Sequence, residues 1–280
     1  MILLQHGDWT ATINPVGAGL ATLSKGDRAV IVAQDETGEL PHFRGSVLVP
    51  WVNRLADGTY TFDGISYTVP INEPERQTAL HGLGLEKTWD IDEQTASSVT
   101  VSTACGPVDG YPFAVIVAVT YALRDAGLAV RLDAYNGDEV TAPFAAGFHP
   151  YLLGGVPIDE AELRIAARRR LITSPDRLLP VELSDTADGP YDFSTARVLG
   201  DIVLDDALTE LTDGVIDFAD LQLTLSPELG WVQVFTPLDR QSLAIEPCTS
   251  GPDAFNSDYG LVVLAPGESF ACAWSLSIRR

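Results

Sequence analysis

Histidine is the one side chain whose ordinary pKa lets it give or take a proton near neutrality. The chain holds four: His6, His42, His81 and His149. His149 stands in Gly147-Phe148-His149-Pro150-Tyr151-Leu152, after a long region of strand-like alternation. The proline cannot donate a hydrogen bond to a sheet, so the motif puts His149 at the lip of a strand, with an aromatic on each side. The alternative is a structural histidine capping that strand. His81 opens His81-Gly82-Leu83-Gly84. Glycine permits positive φ and close backbone approach, so a turn here can point the imidazole into a cleft. His6, near the terminus, and His42, after Pro41 in an acidic loop, read as surface residues.

Three further positions carry charge at the ends of apolar runs. Glu246 lies in Ala244-Ile245-Glu246-Pro247-Cys248, just before a proline. Buried carboxylates are uncommon unless paired, so Glu246 either faces water at a strand end or serves a cleft. The following Thr249–Asn256 reads as a loop able to cover such a site. Arg54 ends Val49-Pro50-Trp51-Val52-Asn53-Arg54. Its five donors in a fixed fork suit sugar hydroxyls or a carboxylate, and a surface ion pair is the competing reading. Asp205 follows Ile202-Val203-Leu204 and either accepts bonds from ligand hydroxyls or caps a short helix.

Other chemistries find no support. Cys248 has no local base, which argues against a cysteine nucleophile. No Ser–His–Asp order with a nucleophile elbow, no Gly-rich phosphate loop and no metal-ligand spacing is present. Arg168-Arg169-Arg170 is the only basic run. In a strand its members face opposite sides, which favours a solvated face over a phosphate site. What remains is general acid–base chemistry on a neutral polar substrate.

The elements that must hold these residues read as strands. Phe270, Cys272, Trp274, Leu276 and Ile278 alternate with small residues, the period of a strand. Val99 and Val101 alternate with Thr100 and Ser102. In Thr59–Val69 aromatics flank Asp63-Gly64, a two-residue hairpin signal. Runs 114–123 and 128–135 join through Asp125-Ala126-Gly127 as another hairpin. Segments 221–225, 231–235 and 243–245 read as further strands. The best helix candidate is 205–211; 154–162 and 184–196 read as loops. Many short strands with turn signals predict an all-β fold, a large antiparallel β-sandwich. Phe62, Tyr67, Trp274 and Ile278 are expected in its core. No composition shift marks a linker, so 1–280 is expected to be one domain.

The net charge of −22 disfavours nucleic acid and anionic membranes as partners. No signal peptide and no bilayer-length apolar run is apparent. Three cysteines without paired spacing fit a reducing cytoplasm.

The ordered motifs Asn53-Arg54, His81-Gly82, His149-Pro150-Tyr151, Leu204-Asp205 and Glu246-Pro247 resemble those of the aldose 1-epimerases, or galactose mutarotases, over nearly the whole chain. The resemblance implies the galactose mutarotase-like supersandwich, a monosaccharide substrate and no cofactor. It implies that His149 is the acid for the ring oxygen and Glu246 the base for the anomeric hydroxyl. His81 then contacts the ring-oxygen side, Arg54 and Asp205 hold hydroxyls, and Asn53 supports Arg54. The implied activity is interconversion of the α and β anomers of a free hexose. The alternatives are a hexose-6-phosphate 1-epimerase, with Arg168–Arg170 or Arg76 as phosphate ligands, and a sugar-binding domain without turnover. A glycosidase would need two carboxylates across the scissile bond, and only Glu246 and Asp205 are available.

Overall fold

The period-two stretches form antiparallel strands. The computed structural model describes residues 1–34 and 43–279, so His42 lies outside the described residues. Strand makes up 55% of the described residues, and the one α-helix among them is Ala254–Ser257, which fixes the class as all-β. A sheet of 15 strands dominates. The four-stranded N-terminal sheet packs its first two strands, Ile2–His6 and Trp9–Asn14, against Ser98–Ala104 and Val115–Arg124 of the large one. Three two-stranded ribbons complete the fold.

Alternation sorts the side chains as expected. Val99, Val101, Cys272, Trp274 and Leu276 are buried in the main core, and Phe62, Tyr67 and Ile278 pack against it half-buried. Phe62 pairs with Ile65 across Asp63-Gly64, both at positive φ (49° and 75°), as a type I′ turn demands. At the other hairpin Arg124 pairs with Gly127; the turn is Asp125-Ala126 alone, and Gly127 already belongs to the next strand.

Two expectations fail. Residues 205–211 are not helical but begin the 14-residue strand Asp205–Phe218. Thr209 pairs with Trp231 on one side and with Arg169 on the other. Ladders on both edges outweigh the propensity of a segment too short for a stable helix. Segment 184–196 is also not one loop: strand Pro180–Asp185 ends within it and Phe193–Val198 begins within it. Both pair with Glu162–Thr173. Segment 154–162 is irregular as expected, with a single 3-10 turn at Ile158–Glu160.

The part of the large sheet that matters for function runs, in order, Asp205–Phe218, Trp231–Phe235, Leu243–Cys248, the broken strand Gly147–Phe148 with Tyr151–Leu152, and Val47–Leu48.

Candidate active site

Pairing register brings His149 and Glu246 together. Gly147 pairs with Cys248 and Tyr151 with Ala244, so in one continuous register position 149 stands across from position 246. Pro150 interrupts the ladder between these two pairs because it has no N–H. The strand is kept in place from its other side, where His149 N–H donates to the Ser46 carbonyl at 3.1 Å and Gly45 N–H donates to the His149 carbonyl at 2.8 Å. His149 Nε2 lies 3.4 Å from Glu246 Oε1, and both side chains are buried.

Paired residues of an antiparallel sheet share a face. Glu246 pairs with Gln233, and Gln233 with Ala207, so Ala207, Gln233, Glu246 and His149 form one row across four strands. Asp205, Phe235, Ala244 and Tyr151 form the next row on that face. Asp205 is tied in by Gln233 Nε2, which donates to its Oδ1 at 2.8 Å. The Tyr151 ring stacks on His149 at 5.0 Å and 4°. The expectation of an aromatic on each side of His149 holds only for Tyr151. Phe148, one position before His149, turns to the opposite face and packs on Trp274. Phe43 supplies the second ring, 6.5 Å from His149 and 4.6 Å from His81.

The opposite wall is built from turns. His81 follows strand Thr78–Leu80 at φ 65°, and Asn53 precedes strand Arg54–Ala56 at φ 54°. The two residues clasp: His81 N–H donates to the Asn53 carbonyl at 2.9 Å, and Asn53 N–H donates to His81 Nδ1 at 3.3 Å. An Nδ1 that accepts leaves the proton of a neutral ring on Nε2. Gly82 is required at φ 82°, because a Cβ there would stand 2.1 Å from the Val49 carbonyl oxygen. The Asn53 side chain accepts from Arg54 N–H at 2.8 Å, with Arg54 Nη1 at 3.4 Å, so it supports Arg54 as expected. Arg54 in turn makes a two-pronged ion pair with Glu73, at 2.8 and 2.9 Å.

All five expected residues, Arg54, His81, His149, Asp205 and Glu246, line one cleft of about 300 Å³. That is the small end of ligand pockets and room for one small molecule. Gln233, Tyr151, Phe43, Glu73 and Asn72 line it too. Tyr151 stood inside a motif, whereas the other four carry no local signal and enter only through register or a turn.

Electrostatics differ from residue to residue. Burial lifts the Glu246 carboxyl well above the ordinary carboxylate range; the Asp205 charge adds to the lift and Arg54 opposes it. Asp205 is exposed toward the cleft, yet the loss of solvent on its protein side raises its carboxyl, against Arg54, Arg76 and the Gln233 hydrogen bond. Burial keeps His81 well below its ordinary pKa, with His149 and Arg54 adding to the effect, so its ring is neutral at pH 7. Glu73 goes the other way. Burial would raise it, but hydrogen bonds from Arg54 and Thr78 and the charges of Arg54 and Arg76 outweigh that.

The remaining expectations separate. The loop after Glu246 does not cover the cleft. It lies behind Arg54, where Asp253 N–H donates to the Arg54 carbonyl at 2.7 Å and Asp253 Oδ1 accepts from Ala56 N–H at 2.9 Å. Of the basic run, Arg168 is exposed and Arg169 meets Asp185 at 3.3 Å. Arg170 meets Asp206 at 2.7 Å. Arg170 pairs with Leu208 in the ladder, so it and Asp206 face away from the cleft, opposite to Asp205. Arg76 is near the cleft but lies 3.3 Å from Glu73. His6 is at the surface, bonded to Asp125 at 2.6 Å. Cys248 is buried, with its thiol pushed well up by burial, a poor setting for a nucleophile. Among the described residues no group of three or more His, Cys, Asp or Glu is placed to hold a metal ion, and no helix is long and apolar enough to cross a membrane.

The fold is antiparallel β, and a buried His–Glu pair lines this small cleft. Comparison with known proteins adds the family. The profile of the family described as aldose 1-epimerase matches residues 1–277, and the chain belongs to that family. It is 35% identical over 277 residues to the uncharacterised protein YihR of Escherichia coli K12, across 95% of this chain and 89% of that protein. It is 24% identical to a probable aldose 1-epimerase of Arthroderma benhamiae, across 68% of this chain and 51% of that one. Among solved structures, a putative aldose 1-epimerase from E. coli K12 superposes with a TM-score of 0.86 at 20% identity, over 99% of this chain and 98% of that one. Galactose 1-epimerase from Lactobacillus acidophilus gives 0.82 at 15% identity, over 99% and 94%. At such identities the structural likeness speaks for the fold alone.

Proposed function

We propose that the protein is a mutarotase that interconverts the α and β anomers of a free hexose. The observation that carries this reading is the buried His149–Glu246 pair, 3.4 Å apart, at the base of a cleft sized for one small molecule. His149 gives a proton to the ring oxygen while Glu246 takes one from the anomeric hydroxyl. The C1–O5 bond breaks and O1 becomes a carbonyl. After rotation about C1–C2 the roles reverse: Glu246 returns its proton to O1, the C5 hydroxyl attacks from the other face, and His149 takes the hydroxyl proton. One proton shared by the pair suffices for the whole cycle. A carboxyl raised by burial suits this sharing, because its two protonation states lie closer in energy near neutrality. His81 Nε2–H donates on the ring-oxygen side, and Arg54 and Asp205 hold hydroxyls.

The preference for a free sugar is supported by the state of the cations. Arg54 and Arg76 share Glu73, Arg170 faces the other side of the sheet, Arg44 stands 5.8 Å from the Tyr151 ring but does not line the cleft, and the chain carries a net charge of −22. A dianion would need free arginines in the cleft. We read residues 1–280 as one domain, on the large sheet that takes strands from Val47–Leu48 through Ser269–Ile278. A cytoplasmic location is our reading too, on three free buried cysteines.

The test is mutarotation followed by polarimetry or NMR on a panel of free and phosphorylated aldoses. Acceleration over buffer on a free aldose is expected. No acceleration on any of them would overturn the reading, and a comparable or higher kcat/KM on a hexose 6-phosphate would overturn the preference.

A further inference from the structure

We infer that Glu73 is a positioning residue for substrate, holding Arg54 so that one two-donor edge of its guanidinium faces the cleft. The inference rests on the reading of the cleft as a sugar site. Arg54 Nε–H donates to Glu73 Oε2 at 2.8 Å, and Nη2–H donates to Oε1 at 2.9 Å. The side edge of the fork is thereby used up. Nη1 also lies 3.4 Å from Asn53 Oδ1, so what remains is one N–H on Nη1 and one on Nη2, a parallel pair that matches two neighbouring hydroxyl oxygens.

Glu73 is held more tightly than neutralising a charge requires. Thr78 Oγ1 donates to its Oε2 at 2.5 Å, and Arg76 Nε lies 3.3 Å from its Oε1. Its backbone exchanges hydrogen bonds with that of Thr78, at 3.1 and 3.2 Å. Its side chain is 10% exposed and that of Arg54 is 12%. Its partners are themselves tied in, Thr78 through the backbone pair and Arg76 through Nη1, which donates to the Asp176 carbonyl at 2.8 Å, and this restrains the guanidinium plane. Positioning of this kind gains rate and affinity because the entropy of orientation is lost before substrate arrives.

Glu73 also damps the charges of Arg54 and Arg76. Glu246 faces His149, Tyr151, Asp205 and Arg54, and Arg54 already pulls its carboxyl down. With Glu73 neutral, that pull grows. The acid limb of the rate profile then moves to lower pH.

The experiment measures mutarotation kinetics against pH for the wild type, Glu73→Gln, Glu73→Asp, Arg54→Gln and the Arg54→Gln/Glu73→Gln double variant. A wild type that does not accelerate mutarotation refutes the sugar reading of the cleft, and with it the role given to Glu73. With an active wild type, Glu73→Gln should raise KM by roughly 10- to 100-fold, change kcat less, and lower the pH of the acid limb. Glu73→Asp keeps the charge but is one methylene too short to fill both prongs. It should raise KM and leave the acid limb where it was. In the Arg54→Gln background, Glu73→Gln should add little. An unchanged KM and acid limb in Glu73→Gln would overturn the inference, as would an equal loss in the Arg54→Gln background. If Glu73→Gln fails to fold, Glu73→Asp decides: a wild-type KM there sinks the idea.

Discussion

The two walls of the cleft obey different construction rules. His149, Glu246, Gln233 and Asp205 stand on neighbouring strands, in rows set by the register of an antiparallel ladder. Arg54, His81 and Asn53 stand on short strands and turns, two of them at positive φ, held by a clasp and a buried ion pair. A ladder fixes spacing through many backbone hydrogen bonds at once. A turn at positive φ costs of order 1–3 kcal/mol per non-glycine residue and persists only when its surroundings over-determine it. On the proposed sugar reading, the sheet wall is the one that holds the groups meeting neighbouring atoms of one ring, and the turn wall holds those that orient the rest.

The sharpest way to break this division is to remove the pair on the sheet wall. Glu246→Gln keeps the shape and loses the proposed base; His149→Asn keeps a polar group and loses the titrating ring. Each is expected to lower kcat by roughly 10²–10⁴-fold, with a smaller change in KM. The double variant should lose less than the product, because the two act as a unit. Near-normal mutarotation in either single variant would show that the row assigns the wrong residues. In the wild type, the raised Glu246 carboxyl sets the pH sign. Activity should fall, as pH drops, at a higher pH than an unperturbed carboxylate would give.

On the turn wall the largest effect should come from Gly82→Ala. The added carbon meets the Val49 carbonyl oxygen at 2.1 Å, and the backbone must move. Overpacking and positive φ together cost about 2–4 kcal/mol, read in thermal unfolding. His81 shifts with its neighbour, so KM should rise more than kcat falls. An unchanged melting temperature and KM would mean that this wall is softer than its geometry implies.

These two walls were not equally legible in the sequence. Both carried motifs, and all five residues named from those motifs share the cleft. The sheet wall's partners did not. Gln233 and Phe235 enter through cross-strand register, which is set by tertiary pairing rather than local composition. Segment 205–211 read as helix because seven residues hold too little pattern to decide, and its two flanking ladders are far away in the chain. Phe148 read as a neighbour of His149, although period two sends adjacent side chains to opposite faces. On the turn wall, Glu73 gave no signal because its meaning lies in the contact with Arg54, 19 positions away.

The same alternation makes a finer comparison at Asp205 and Asp206. Both carboxyls are raised by lost solvation, yet one is exposed toward the cleft and the other is buried against Arg170. Arg170→Met should destabilise the fold by roughly 3 kcal/mol, because Asp206 is left buried without its partner, and kcat/KM of the folded fraction should stay near wild type. Asp205→Asn should do the reverse, with little effect on unfolding, a raised KM, and an acid limb moved to lower pH as the Asp205 charge no longer lifts Glu246. Denaturant titration alongside kinetics separates the two; a KM effect from Arg170→Met would show that the faces communicate.

The smallest effect is expected at Arg168, two positions before Arg170 on the same strand. Arg168 is exposed, whereas the Arg170 guanidinium lies 2.7 Å from Asp206 and 3.5 Å above the Tyr191 ring. The contrast is one of burial. A charge in water contributes little, and a substitution away from special features stays within about 0.5 kcal/mol. Arg168→Ser should leave the unfolding midpoint nearly unchanged. It should also leave unchanged the ratio of kcat/KM on a free hexose to that on its 6-phosphate, because the side chain contributes nothing to the cleft. If that ratio rises severalfold in Arg168→Ser, through loss of the phosphorylated substrate, then the basic run reaches the sugar site and the free-sugar preference must be abandoned.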